Sequence, residues 1–315
     1  MTALIPFANS NQLAPDKAAT PNNAVQVRMR NVMYHYADNI SVHIRALRGD
    51  VVPTPGNPIP VFDDKNSFIL RIAAAAIAIN SASMTNVINA HISRSPDSPI
   101  RDISIRVESN ELKVRGRLHK GGIPFEVDGT VSATSNGKIR LRAKSIKAVK
   151  LPVKKLMDLF GADLAGVIQK GKLPGIEAEG DDLILDPQQL LPPPRILGKV
   201  SEVRLEGNNI VQTFGAVNKH DSDPTDGNYM YYQANRLRFG KLTMSDTDLK
   251  LLDMDPRDPF DFYLDHYKDQ LVAGYTKTTP GFGLRVYMRD FNKLSSSTSK
   301  TPVKSQASTN PASAR

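Results

Sequence analysis

"LKVRGRLHKGGIPFEVDGTVSATSNGKIRLRAKSIKAV", Leu112–Val149, alternates apolar and polar residues through three successive runs. A period of two marks strands with one face in a core and the other in water. Leu112, Val114, Gly116 and Leu118 share one face, with Lys113, Arg115 and Arg117 on the other. Ile123, Phe125, Val127, Gly129 and Val131 then face in, and Glu126, Asp128 and Thr130 face out. The loop His119–Gly122 sets Leu118 against Ile123, which places Arg115 opposite Glu126 and Lys113 opposite Asp128. Ser135-Asn136-Gly137, read as a three-residue turn with Gly137 left-handed, pairs Val131 with Leu141 and Asp128 with Lys144. A one-residue slip would push Val131 against Arg142, so the hydrophobic pattern selects this register. The expected product is an antiparallel meander with an aliphatic face and a charge-laddered face. Each cross-strand ion pair in such a ladder contributes about 0.2–1 kcal/mol.

Outward from the meander, period two dominates. "VQVRMRNVMY", "ISVHIRAL" and "SFILRIAAAAIAI" read as strands upstream, the last because Phe68, Leu70 and Ile72 alternate despite the alanines. "SASMTNVINAHIS" reads as a short helix capped by Ser81 or Ser83, with Met84, Val87, Ile88 and Ile92 on one face. His91 falls on that face and reads as a packed or hydrogen-bonded residue. A second helix is expected in "PVKKLMDLFGADLAGVIQKG", with Pro152 at its first position, Gly171 as its cap, and Leu156 and Phe160 in its apolar stripe. Downstream, "DLILD", "KVSEVRLE–GNN–IVQTFG", "YMYYQANRLRF", "KLTMSD", "PFDFYLDHY", "QLVAGYTK" and "FGLRVYMRDF" read as strands. "DFYLDHYKDQLVAGY" is expected to be a late hairpin. In "LILDPQQLLPPPRILG", Leu183–Gly198, Asp186 caps one helical turn opened by Pro187, with Gln189 at capping-box spacing. Pro192, Pro193 and Pro194 then stiffen the chain. This strap is expected to bury Leu190 and Leu191 at the end of the apolar face.

The net charge is +9, and its excess is local: residues 101–172 hold 16 Lys and Arg against 7 Asp and Glu, and the remainder balances. The chain has 22 Pro, 20 Gly, no Trp and no Cys, which favours short strands and an aliphatic core. The lack of cysteine excludes disulfides, thiol nucleophiles and Cys-ligated metals, and leaves the compartment undecided. No signal peptide is visible and no apolar run is long enough to span a membrane.

No phosphate-binding glycine loop, nucleophile elbow or H-E-x-x-H is present. The six histidines are scattered, and His35 with His43 lack a third ligand. "DSDPTDGN", Asp221–Asn228, is out of register for an EF-hand and reads as an acidic turn. No catalytic residue, metal or cofactor is assigned. Nucleic acid is not expected from the 101–172 region, whose meander turns its one aromatic, Phe125, inward.

The expected architecture is α+β and β-rich: a curved antiparallel meander sheet covered by a few amphipathic helices. One domain is expected over 24–292, with disordered tails at 1–23 and 293–315. The order of "SASMTNVINAHI", "LKVRGRL…IPFEVDGTVSAT…GKIRLRAKSIKAVKLPVKKLMDLFG" and "GDDLILDPQQLLPPP…GKVSEVRLEGNNIVQTFG" resembles LmeA-type phospholipid-binding proteins. More loosely, it is similar to the tubular lipid-binding superfamily. The resemblance spans about 67–215, leaves 216–292 as an additional β part, and implies an envelope-associated protein with lipid in an apolar groove. The expected lining is Met84, Val87, Ile88, Leu112, Val114, Phe125, Val127, Val131, Ile139, Leu141, Leu156, Phe160, Leu190 and Leu191. The expected partners are a lipid or another hydrophobic ligand and, through the basic 101–172 region, an anionic membrane surface. The competing expectation is a structural or interaction protein whose β core is fully packed.

Overall fold

Alternation becomes strand along most of the chain. The computed structural model describes residues 23–95, 98, 100–148, 173–179, 182–216 and 227–294. Three long strands, β1 (Val25–Ala37), β2 (Ile40–Pro53) and β3 (Phe68–Asn80), lead into helix α1 (Ser81–Ser93). The meander follows as β4 (Ile100–Glu108), β5 (Glu111–Leu118), β6 (Pro124–Ala133) and β7 (Ile139–Ala148). Next come the hairpin β8 (Ile176–Glu179) and β9 (Asp182–Leu185), the turn α2 (Pro187–Leu190), β10 (Arg195–Leu197), β11 (Val200–Glu206) and β12 (Asn209–Phe214). The C-terminal part holds β13 (Tyr229–Phe239), β14 (Leu242–Asp253), β15 (Phe260–Tyr263), α3 (Tyr267–Val272), β16 (Tyr275–Thr278) and β17 (Leu284–Met288).

The described strands form two sheets. One has eleven strands in the order β11-β12-β3-β2-β1-β13-β14-β17-β16, with β10 and β15 joining β3 and β1 in parallel. The other has six, β4-β5-β6-β7-β9-β8, is antiparallel, and curls into a half-barrel. The fold is therefore α+β and β-rich, with few helices. One apolar cluster takes residues from both sheets, among them Val32, Ile77, Leu249 and Phe262 from the larger and Ile103, Leu112, Phe125 and Leu141 from the smaller. The predicted second helix, residues 1–22 and 295–315 of the predicted tails and most of the Asp221–Asn228 turn lie outside the described residues. The expected C-terminal boundary is corrected, because Lys293 is held by Asp255, Asp258 and Asp290.

Helix α1 bridges the sheets. Its cap is Asn80, whose Oδ1 accepts from Ser83 N at 2.7 Å, rather than Ser81 or Ser83. The two serines are used across the fold instead. Ser83 Oγ accepts from Ser41 N at 3.1 Å, and Ser81 Oγ donates to Asn208 Oδ1. On its other side α1 closes the open edge of β4: Asn89 exchanges two hydrogen bonds with the Ile103 backbone, and Thr85 Oγ1 accepts from Ile105 N. Strand-edge groups left bare would template aggregation, and these side chains stand in for a missing strand.

The meander register matches expectation at Arg115–Glu126, Lys113–Asp128 and Val131–Leu141. Gly137 is left-handed, at φ 86°. Asp128 is a correction: it faces Ser145, not Lys144, because β7 bulges and Gly129 pairs with Ala143. The apolar positions of β7 change phase there, from Ile139, Leu141 and Ala143 to Ile146 and Ala148. The extra residue returns Ile146 to the core side, opposite Val127.

The expected late hairpin is also corrected. Phe260–Tyr263 pairs with β1, Tyr267–Val272 is helical, and Tyr275–Thr278 pairs only with β17. Leu264, Tyr267 and Gln270 recur every three residues and all are buried, which is helical spacing.

Candidate functional site

The Pro-rich strap decides where the predicted apolar residues meet. Asp186 Oδ1 accepts from Gln188 N, and Gln189 Nε2 donates to Asp186 Oδ2, both at 3.0 Å. The Gln189 side chain thus reaches the capping carboxylate rather than the backbone N–H of a capping box. After the prolines, β10 lies parallel to Ile69–Arg71 of β3. The turn is pinned from above by α1: His91 Nε2 donates to the Leu190 carbonyl at 2.6 Å, so His91 is a structural tie. Leu190 is buried and Leu191 half-buried, so the expectation of two buried leucines holds fully for the first alone.

Beneath the strap, Met84, Val87, Ile139, Leu190 and Leu191 line one enclosed cavity. Sequence reasoning assembled these five from three separate segments, α1, β7 and the strap. It missed much of the remaining wall, including Ile196, Phe214, Ile77 and Ile79. The parallel pairing of β10 places Ile196, and the long-range pairing of β12 with β3 places Phe214. The cavity holds about 30 Å³, roughly the room of one water molecule. A neighbouring aromatic cavity, walled by Tyr34, Phe62, Tyr232 and Phe262, holds about 40 Å³. Burial pushes the phenols of Tyr34 and Tyr232 well above their ordinary range, so these walls are neutral. Ile88 is buried on the same face of α1.

The other predicted residues lie on the apolar face of the half-barrel. Leu112, Phe125 and Leu141 are buried, whereas Val114, Val127 and Val131 are half-buried. Val114, Val127 and Ile146 stand directly opposite one another on three adjacent strands, and all three retain solvent contact. Ile146 was missed, although the phase change in β7 signals it. Two glycines in this face are dictated by packing. A Cβ at Gly116 would come within 2.7 Å of the Phe125 ring, and one at Gly129 within 2.6 Å of the Arg142 carbonyl oxygen. Leu156 and Phe160 lie outside the described residues.

The outer face of the half-barrel is the expected ladder. Arg115 meets Glu126 at 2.6 Å, Lys144 meets Glu111 at 2.7 Å, and Arg142 holds Asp182 through two 3.0 Å contacts. The Arg142 hydrogen bonds hold the Asp182 carboxyl below its ordinary value, and Ser145 does the same for Asp128.

Polar groups buried against the eleven-stranded sheet are structural ties. His35 Nε2 meets Asp261 Oδ1 at 2.5 Å, and Asp261 Oδ2 accepts from Asn292 N. Gln270, fully buried, accepts from Tyr263 N and donates to the Asp261 and Arg289 carbonyls. Lys293 reaches Asp255, Asp258 and Asp290 within 3.2 Å. Among the described residues no group of three metal-ligating side chains is assembled, and no helix is long and apolar enough to cross a membrane. No family model, curated protein or solved structure matches the chain.

Proposed function

We propose that the chain binds a hydrophobic, acyl-type ligand without chemistry, along the apolar face of its six-stranded half-barrel. The observation that carries this reading is the row Val114–Val127–Ile146. It is aliphatic, continuous across three strands, and only half-buried. In the eleven-stranded sheet the inward residues Val27, Val32, Leu249 and Leu251 are fully buried. A half-covered aliphatic strip gains about 0.8 kcal/mol for each CH₂ laid on it. The likeness of element order to LmeA-type proteins points the same way.

A second reading rests on a different observation. The cavities beneath the strap and in the aromatic core hold about 30 and 40 Å³, which favours a packed scaffold with no internal ligand. Native mass spectrometry and lipid extraction of the purified protein separate the two readings. Co-purified lipid, or saturable uptake of a fluorescent fatty acid that Val127→Asp abolishes while the fold survives, supports the first. Val127 touches solvent, so that variant is expected to fold. Leu141→Lys, at a buried position, is expected to unfold the protein on either reading. No lipid, no probe uptake and an unfolded Val127→Asp would establish the packed scaffold.

A further inference from the structure

The segment from α3 to β17 ends the eleven-stranded sheet at an open edge, β16, and it exposes apolar side chains that contribute nothing to the core. Of the five large hydrophobic residues exposed among the described residues, three lie here: Val272 at 86 %, Tyr275 at 45 % and Phe282 at 91 %. Phe282 sits at the tip of the β16–β17 hairpin with φ 62°, a region that only glycine enters freely. The tip is tightly held. Thr279 N donates to the Gly283 carbonyl at 2.8 Å, Phe282 N to the Thr279 carbonyl at 2.9 Å, and Gly283 N to Thr279 Oγ1 at 2.9 Å. Gly283 leaves no room for a side chain, since a Cβ there would lie 2.2 Å from Asp248 Oδ2. A bulky residue is therefore fixed in a strained conformation and pointed at solvent, where glycine would relieve the strain. Nothing inside the molecule compensates for that choice.

The surrounding charge is positive. Residues 268–289 carry Lys268, Lys277, Arg285 and Arg289 against one carboxylate, Asp269. Asp248 of β14 holds Arg285, which leaves Lys268, Lys277 and Arg289 as the segment's cations against Asp269. Lys277 lies over the rings of Tyr275 and Tyr287, which stack on each other at 4.6 Å. The same face continues inward as a row of directly opposed residues, Lys277, Arg285, Lys250, Tyr231, Arg28 and Arg48. Sheet twist turns the far end of this row away and Lys250 is buried over the Tyr229 ring, so contact is confined to the hairpin.

We propose that this hairpin is an interfacial anchor that docks the protein on an anionic lipid bilayer, with Phe282, Tyr275 and Val272 entering the headgroup region. A protruding tip with isolated apolar residues and flanking cations suits a soft, flat, negatively charged partner. It does not suit stacked bases, because Tyr275 and Tyr287 already cover one face of each other. The proposal does not depend on ligand uptake by the half-barrel.

The test is co-sedimentation of the full chain with vesicles of phosphatidylcholine alone and of phosphatidylcholine mixed with phosphatidylglycerol. The expected result is preferential, salt-sensitive sedimentation with the anionic vesicles. Phe282→Gly should lower that partition about tenfold or more while leaving the melting temperature equal or higher. Lys277→Glu should reduce the preference for anionic vesicles. Equal or absent sedimentation with both vesicles, or unchanged binding by Phe282→Gly, overturns the proposal. So does a single-stranded oligonucleotide that binds through this hairpin and displaces the vesicles. Vesicle binding that persists when fatty-acid uptake fails keeps the anchor and removes only the ligand reading.

Discussion

The centre of the half-barrel and the centre of the eleven-stranded sheet arrange charge differently. Across β5, β6, β7 and β9 of the half-barrel, directly opposed positions carry opposite signs: Arg115 against Glu126, Lys113 against Asp128, Arg142 against Asp182. Its β4 edge sets like against like, at Arg101 with Arg117 and Arg106 with Lys113. Along one row of the eleven-stranded sheet like meets like, Arg28 against Arg48, Lys250 against Arg285, and Arg285 against Lys277, with Asp248 holding Arg285 from the side. Elsewhere in that sheet Asp50 faces Arg71. Like charges placed directly opposite are destabilising in a sheet. The larger sheet tolerates them because its other face is far better packed. Phe260, Phe262, Leu249 and Leu251 are fully buried there, and Phe62 joins Tyr232, Phe239 and Phe262 in an aromatic cluster. The half-barrel has a thinner aliphatic face and a self-neutralised exterior. The positive net charge is therefore distributed differently from the sequence count. The locally basic 101–148 stretch supplies a neutralising ladder, and the balanced remainder of the chain builds the positive row.

The largest test of this contrast is in the two cores. Phe262→Ala should cost about 3–5 kcal/mol, since it removes a fully buried ring that touches Phe62, Tyr34 and Phe260. Val114→Ala should cost no more than about 1 kcal/mol, because the side chain already meets solvent. Urea denaturation measures both. Equal losses would mean that the half-barrel face is as tightly packed as the main core, and would remove the basis for a ligand strip.

The contrast also explains what the sequence revealed. The half-barrel was legible almost residue by residue, because its strands are sequential, its turns are short, and its two faces differ in polarity. Its one error, at Lys144, came from extending the alternation past the point where Ile146 and Ala148 change phase. The main sheet was legible as strands but not as a sheet. Its order joins β12 to β3 and β1 to β13, pairings between segments more than a hundred residues apart. Local pattern carries no information on such partners. The late hairpin expected over Asp261–Tyr275 gives way to a helical turn, because Leu264, Tyr267 and Gln270 keep a helical interval. The candidate lining was legible as apolar positions, whereas its division into plugged cavity and half-open face depended on the strap and β10.

Next in size is Gln270, which carries three hydrogen bonds to backbone groups of the C-terminal part. Gln270→Leu fits the volume but leaves those groups unpaired, and should destabilise by about 2–4 kcal/mol. Thermal unfolding and hydrogen exchange across 260–294 read this out. A neutral result would show that water reaches the site and that this region is not sealed against the sheet.

Acidification should divide the molecule by segment rather than by sheet, since Glu206 lies in β11 of the larger sheet. Hydrogen bonds from Arg45 and Arg204 take the Glu206 carboxyl from its ordinary 4.5 to about 2, and Asp128 and Asp182 are also lowered. A lowered folded-state value gives stability that is present above the ordinary pKa and lost as the pH falls through the folded one. Burial raises Asp253 and Asp290, so their contribution runs the other way and is regained on acidification, offsetting the loss at Asp255, which the Arg257 hydrogen bond holds low. Between about pH 6 and about pH 3, amide protection should fall first in 101–148 and 182–206 and last in 253–290. The reverse order would show that the Lys293 cluster, not the ladder, is the acid-sensitive element.

The smallest effect tests the ladder. Arg115 and Glu126 are directly opposed, their charged groups are 2.6 Å apart, and Arg115 is more than half exposed. A pair so open to water loses most of its attraction to solvent and salt. The double-mutant cycle Arg115→Ala, Glu126→Ala should therefore give a coupling of about 0.2–1 kcal/mol that shrinks at high salt. A single charge reversal, Glu126→Lys, should cost more than this coupling, because Arg115 and Lys147 would then both face a like charge. It would extend to β5 and β6 the like-charge arrangement that β4 and β5 carry at Arg106 and Lys113 and the larger sheet at Arg28 and Arg48. If Glu126→Lys is as stable as the parent, opposed signs do not hold the half-barrel together, and the difference between the two sheets reduces to the packing beneath them.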